Sequence, residues 1–98
     1  MKVVFTRQAR TDLDEIALYI AQDNKGRALS FVRELRKKAE DLGDTPRGFP
    51  LVPRYEASRI RRRPFQNYLI FYTVGESEVS IIHILHAARD YEALLFSR

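Results

Sequence analysis

Apolar residues in the first part of the chain recur at helical spacing after one short β-rich run. Residues 2–5, KVVF, predict a first strand, and Thr6 can cap the following helix because its hydroxyl can accept a backbone N–H of the first turn. Asp12, Asp14 and Glu15 lie off the apolar stripe, which predicts that they occupy the polar side near the positive end of the helix. The stripe itself comprises Ala9, Leu13, Ile16, Ala17 and Ile20.

A second stripe with the same period follows a short break. Asn24 is the predicted cap of this helix. Gly43 and Pro46 mark its end, because glycine suits the position after a helix and proline prevents resumption. Two helices joined by so few residues should form an antiparallel hairpin. The second stripe comprises Ala28, Phe31, Val32, Leu35, Ala39 and Leu42.

Strand patterns dominate the second half of the chain. A proline-rich loop at residues 44–58 is followed by strand candidates at residues 58–63, 67–74 and 78–86. The turn GES predicts that the last two strands form a hairpin. Asp90 can cap a short final helix. The predicted order is β-α-α-β-β-β-α, an α+β fold in one domain, residues 1–98.

The two long strands are apolar on both faces. Residues 67–74 and 78–86 carry aliphatic or aromatic side chains in both alternating sets, whereas a sheet with one face in water should alternate apolar with polar residues. We expect one face to pack on the helical hairpin. Residues 88–98 are too few to cover much of the other face, so we expect a partner protein to cover part of it, since large exposed apolar patches are usually interaction sites.

Composition indicates a globular protein with unevenly placed charge. The chain is 45% hydrophobic and 31% charged, and it has no cysteine, which excludes disulfides and thiolate chemistry. Neither a signal-peptide pattern nor a membrane-length apolar stretch is present, which favours a cytoplasmic location without membrane attachment. Residues 45–66 carry six arginines and one acid, a charge of +5, whereas the rest has 11 basic and 12 acidic residues. Such a block favours an electrostatic contact site.

The two histidines do not indicate a metal site. His83 and His86 are three residues apart, and this odd spacing sends their side chains to opposite faces of a strand. A ribonuclease would need a base, an acid and cations. The histidines, Glu56, Tyr72 and the arginines are candidates, but no spacing ties them together. We therefore predict no catalytic residue, no metal and no cofactor.

Four arginines lie close together before the penultimate strand, and we call them the arginine block: Arg59, Arg61, Arg62 and Arg63. This block can be interpreted in three ways. They can protect a sheet edge from association, contact phosphates, or hold the carboxylates of an acidic protein segment in their guanidinium forks. The neighbouring aromatic residues fall inside apolar strands, where core packing is commoner than base stacking. Docking on an acidic protein segment is therefore the favoured interpretation.

Two motifs give the chain a family resemblance. Y-x-I-F-Y at residues 68–72 and L-H-x-A-R-D at residues 85–90, after a β-α-α start, resemble the ParE branch of the ParE/RelE toxin superfamily over nearly the whole chain. The resemblance implies a four-stranded, mainly antiparallel sheet against a helical hairpin. It also implies a toxin of a bacterial type II toxin–antitoxin pair that inhibits DNA gyrase. The implied antitoxin is ParD-like with an acidic tail, and operator DNA is bound only through it.

Contact residues are predicted for both partners. The antitoxin is expected to bind the arginine block together with Leu13 and Ile20 of the first helix. Contacts with the target are expected from Arg89, Tyr91 and Leu95 near the carboxyl end. Metal ligands and catalytic groups are absent from both sets.

A ribosome-dependent messenger-RNA endoribonuclease of the RelE branch is the alternative function. That branch carries an arginine after the tyrosine of the penultimate strand, another arginine past the last strand, and a tyrosine in the terminal segment. The aligned positions here are Leu69, Ala88 and Leu94, which lack those groups. The resemblance therefore favours a protein target over RNA cleavage, and a non-toxic binding module remains a third possibility.

Overall fold

Side-chain caps set the beginnings of both long helices. The hydroxyl of Thr6 accepts the N–H of Ala9 at 3.1 Å, and the side chain of Asn24 accepts the N–H of Arg27 at 2.9 Å, as predicted for these residue types. The computed structural model describes residues 1–96, so the last two residues of the predicted domain lie outside the described part. The helices and strands are β1 (Lys2–Phe5), α1 (Arg7–Ala21), α2 (Lys25–Glu40), β2 (Arg61–Phe65), β3 (Tyr68–Val74), β4 (Glu78–His86) and α3 (Tyr91–Phe96).

The four strands form one sheet in the order β1-β4-β3-β2. β1 runs parallel to β4, and the other neighbouring pairs are antiparallel. The predicted order of elements, the α+β class and the mainly antiparallel sheet are therefore confirmed. β2 begins at Arg61, later than predicted, because Glu56–Ser58 form a 3-10 turn and Arg59 has a left-handed backbone with φ 63°.

One face of the sheet packs against the helical hairpin, as the apolar stripes predict. Tyr68, Ile70 and Tyr72 of β3 point to this face, since side chains alternate along a strand, and they share a cluster with Leu13 of α1 and Leu35 of α2. This main core fixes the hairpin on the sheet. Its buried members are Ala9, Leu13, Ile16, Phe31, Leu35, Ala39, Leu42, Tyr68, Ile70, Tyr72, Val79, Ile81 and Ile84.

The opposite face is covered largely by the chain itself, so the expectation of a covering partner was wrong. Leu69, Phe71 and Leu85 are only 9%, 0% and 3% exposed. The cover comes from the loop before β2 and from α3, and the rings of Tyr55 and Phe96 stack with centroids 3.9 Å apart. We call this cluster the second core. It comprises Val52, Leu69, Phe71 and Leu85, with Tyr55, Ile60, Ile82, Tyr91, Leu95 and Phe96 packed against them.

Asp12 is buried, contrary to its predicted place on the polar side of α1. Its carboxylate accepts the N–H of Ile84 at 2.8 Å, Nδ1 of His83 at 2.6 Å and Nε2 of Gln8 at 3.0 Å. A carboxylate only accepts, so the Nδ1–H of His83 is the donor in this contact. β1 ends opposite Ile81, and the Asp12 side chain takes over beyond that point as hydrogen-bond partner for the backbone of β4.

Gly43 is needed because the amino-terminal residue of the chain packs closely against it, and not because its backbone has a positive φ. A Cβ at Gly43 would clash with the carbonyl oxygen of Met1, and no glycine in residues 1–96 has a positive φ. Gly43 was predicted to follow the second helix directly. Instead α2 ends at Glu40, and Gly43 closes a 3-10 turn, Asp41–Gly43.

Replacing Asp12 by asparagine should destabilise the fold. The amide group introduces a donor where three donors converge, so a buried polar group loses its partner at about 1–3 kcal/mol. Urea denaturation measures the loss. The control is Asp14→Asn on the exposed side of α1, where a change within about 0.5 kcal/mol is expected; equal losses would contradict the buried role.

Replacing Gly43 by alanine should lower the free energy of unfolding by about 1–3 kcal/mol, because the added methyl group forces backbone apart. Gly26 lies in α2 with its nearest neighbour 3.5 Å from an added Cβ. Gly26→Ala should therefore raise the free energy of unfolding by about 0.5–1 kcal/mol. Thermal denaturation of both variants checks that the free energy of unfolding changes in opposite directions.

Candidate functional site

β2 divides the arginine block between the two faces of the sheet. Because side chains alternate along a strand, Arg61 and Arg63 share one side and Arg62 lies on the other. Arg63 donates to the carbonyl oxygen of Lys38 at 3.1 Å, and its guanidinium lies 4.8 Å from the centre of the Phe49 ring. Arg63 thus fastens β2 to the end of α2.

Arg62 is engaged by α3. Its guanidinium donates to the Tyr91 hydroxyl and lies 5.8 Å from the centre of that ring. An ion pair between Arg54 and Glu92 also ties α3 to the loop before β2. Arg62 and Tyr91 were predicted to contact different partners, yet in this structure they bind each other and hold α3 over the second core.

Arg59 and Arg61 converge with a third arginine from the proline-rich loop, Arg47. The three residues line a pocket of about 90 Å³, whose other walls are Leu51 and Val74. Arg47 and Arg59 are exposed, and Arg61 is half-buried. We call this site the arginine pocket. Sequence reasoning counted Arg47 in the basic segment but did not assign it to the site, since only the folded loop brings it there.

A larger groove lies between α1 and the end of β4. Its volume is about 350 Å³, Tyr68 and Ile84 contribute apolar wall, and Tyr19, His86 and Arg89 also line it. The Tyr19 side chain is 69% exposed. Burial raises the pKa of Tyr68, and the nearby Tyr19 adds to the rise, so the Tyr68 hydroxyl stays neutral at physiological pH.

The remaining predicted contact residues lie in different places. Leu13 is 2% exposed inside the main core, which leaves almost none of its surface for an antitoxin. Ile20 is partly buried at the edge of that core. Arg89 is exposed beside the groove, whereas Leu95 packs with Tyr91 on the second core.

The acid–base candidates are not gathered around one pocket. Tyr72 is fully buried and donates to the carbonyl oxygen of Pro46 at 2.8 Å, and burial raises its pKa. His83 is held by the buried carboxylate of α1. His86 lines the groove, and Glu56 is exposed in the 3-10 turn before β2.

The two histidines belong to opposite faces of the sheet. His83 is opposite Phe71, a second-core residue, and His86 is opposite Tyr68, a main-core residue. Within residues 1–96, no group of three or more histidine or acidic side chains is placed to hold a metal ion. In the same described part, no helix combines the length and apolar character needed to cross a bilayer.

Two solved structures share this arrangement of helices and strands. The chromosomal ParDE toxin–antitoxin system from P. aeruginosa superposes with a TM-score of 0.72 at 22% identity, covering 88% of this chain and 95% of that chain. The toxin–antitoxin complex RelBE2 from Mycobacterium tuberculosis gives a TM-score of 0.64 at 22% identity, with coverages of 87% and 95%. The fold is therefore that of the RelE/ParE-like toxins.

The sequence narrows this class to one branch. Residues 3–91 match the family described as the ParE toxin of the type II toxin–antitoxin system, parDE. The chain belongs to the ParE toxin family, which confirms the resemblance carried by the motifs at residues 68–72 and 85–90. No curated protein sequence matches the chain.

Replacing Tyr91 by alanine should lower the free energy of unfolding by about 1–3 kcal/mol, because its partly buried ring packs on the second core. Tyr91→Phe keeps the ring and removes only the hydrogen bond from Arg62, so a loss of about 1 kcal/mol or less is expected. Urea denaturation of the two variants separates the contribution of the ring from that of the hydrogen bond. Equal losses would mean that the hydrogen bond, and not the ring, holds α3.

Proposed function

We propose that this ParE-family toxin inhibits DNA gyrase in the bacterial cytoplasm and is neutralised by a ParD-like antitoxin with an acidic tail. The family match over residues 3–91 carries the proposal. The antitoxin acts by covering the toxin surface, and operator DNA is reached only through the antitoxin.

The chemistry at three positions supports a binding mechanism over RNA cleavage. Leu69, which aligns with a nuclease arginine, is 9% exposed in the second core. Ala88 follows β4 and is exposed, and Leu94 lies on α3 with 44% exposure. These side chains carry neither charge nor an exchangeable proton, so they cannot stabilise a phosphorane or shuttle a proton.

Surface features of the hairpin and of β2 support the antitoxin contact. Leu18, Tyr19 and Leu29 are 70%, 69% and 63% exposed on α1 and α2. Burying large side chains of this kind on a partner is favourable. The arginine pocket supplies positive charge for an acidic segment. The antitoxin surface therefore comprises the outer side of the hairpin and this pocket, while Leu13 supports the hairpin from inside.

For the target contact, Arg89 is the strongest of the three predicted residues. Its side chain is exposed at the end of β4, so it can reach another protein without rearrangement. Tyr91 and Leu95 pack on the second core, and their part is to hold the segment from which Arg89 projects.

Induction of the chain without antitoxin should arrest bacterial growth, and the purified chain should block plasmid supercoiling by gyrase. Arg89→Gln should raise the concentration for half-inhibition about tenfold, as expected for losing a charge-assisted hydrogen bond. Arg33→Gln, with the same charge change at an exposed site on α2, is the matched control and should have little effect.

Mapping of transcript ends after induction separates the alternatives. Uncut messenger RNA together with inhibited gyrase is the expected result. Full supercoiling at large toxin excess, with codon-linked RNA cuts, would instead establish a RelE-like nuclease. Normal growth and normal supercoiling would indicate a non-toxic binding module.

A further inference from the structure

The arginine pocket concentrates positive charge without an internal counter-charge. Within residues 1–96, the side chains of Arg47 and Arg59 make no hydrogen bond or ion pair, and the side chain of Arg61 donates only to the neutral carbonyl oxygen of Phe49, at 2.7 Å. By contrast, Arg54 in the same basic segment is paired with an acid. Three arginine residues that line one small pocket carry like charges, and a bound anion would reduce the repulsion between them.

Backbone contacts fix the part of the pocket where the loop meets β2. Leu51 forms an isolated bridge with Arg61, the Val52 N–H donates to the Ile60 carbonyl at 2.9 Å, and the Arg62 N–H donates to the Pro50 carbonyl at 3.2 Å. These contacts anchor the loop to β2 before any ligand binds. A site organised in advance loses less entropy when it binds.

Arg59 occupies a backbone conformation that suits glycine or asparagine better. Its φ of 63° and ψ of 18° lie in the left-handed region, where a side chain with a Cβ is strained. Strained residues cluster at functional sites, where the side chain is needed despite its effect on stability. The position therefore favours a role for the Arg59 guanidinium itself.

We propose that the arginine pocket receives one side-chain carboxylate, from an aspartate or glutamate of an acidic polypeptide. Guanidinium forks hold a carboxylate through paired, charge-assisted hydrogen bonds, and a pocket of about 90 Å³ has room for a single such group. That the polypeptide is the antitoxin tail rests on the proposed function. The anion site is formed by Arg47, Arg59 and Arg61, and not by the contiguous arginine run.

The walls of the pocket favour a polypeptide over a nucleic acid. Among the residues that the structure describes, the lining includes Leu51 and Val74 and no aromatic ring, so the pocket lacks the aromatic platform on which single-stranded nucleic acids stack their bases. Nucleic acids also gain affinity from several phosphates along a track. Arg62 and Arg63, which would extend such a track, are already held by Tyr91 and Lys38.

NMR of the isolated chain tests the assignment through the arginine side-chain N–H signals. Capped hexaglutamate is the probe, and capped hexaglutamine is the uncharged control. Saturable, salt-sensitive shifts at Arg47, Arg59 and Arg61 are expected with hexaglutamate only. Arg47→Gln and Arg59→Gln should each weaken binding about three- to tenfold. Lys2→Gln makes the same charge change on β1, at the opposite edge of the sheet from β2, and should change binding by less than about twofold.

A glycine at position 59 separates folding from binding. Arg59→Gly removes the guanidinium and also the backbone strain, so its melting temperature should equal or exceed that of the wild type while hexaglutamate binding falls. Binding that is unchanged in this variant would overturn the proposal, because the variant keeps its fold.

Two further outcomes are decisive. If a single-stranded oligonucleotide binds more tightly than hexaglutamate and depends on the same arginines, the pocket is a phosphate site and the proposal fails. If the chain arrests growth and inhibits gyrase but hexaglutamate binding does not depend on Arg47 and Arg59, the pocket assignment fails while the proposed function stands. Arginine-dependent hexaglutamate binding by a chain that neither arrests growth nor inhibits gyrase would support the pocket and remove the proposed function.

Discussion

The buried carboxylate of Asp12 is the interaction on which the arrangement of helices and sheet depends. β1 is only four residues long and ends opposite Ile81, so the rest of β4 would face α1 with an unpaired backbone amide at Ile84. Leaving a buried amide without an acceptor is costly, and Asp12 accepts from it at 2.8 Å. The same carboxylate binds His83. It thereby fixes the helical hairpin relative to the strand that ends at the groove.

A break in regular pairing lies beside this contact. Phe71 is opposite His83, but the next residue, Tyr72, is opposite Ile81, so Ile82 is extra in β4. Such a bulge bends a strand and increases its twist. The bulge and the carboxylate together shape the end of β4, from which Arg89 projects and α3 turns back across the sheet.

Much of the fold could be predicted from sequence, because it follows local rules. The caps Thr6 and Asn24 and the helical stripes depend on neighbours in the chain, and the structure has them as predicted. Features that depend on distant residues could not be predicted. Asp12 looks like a solvent-facing acid until β4 is beside it, and Arg47 lies outside the arginine run. The motifs at residues 68–72 and 85–90 indicated the family. They did not indicate which arginine side chains are left without an internal partner in the described part of the chain.

The closed second core determines which apolar side chains would be exposed if a bound partner were lost. Leu69 and Phe71 are shielded by the chain's own α3 and loop, so the burial of this apolar surface does not depend on a bound subunit. Loss of a bound antitoxin would therefore leave these side chains buried, and it would not create an exposed apolar patch of the kind that promotes aggregation.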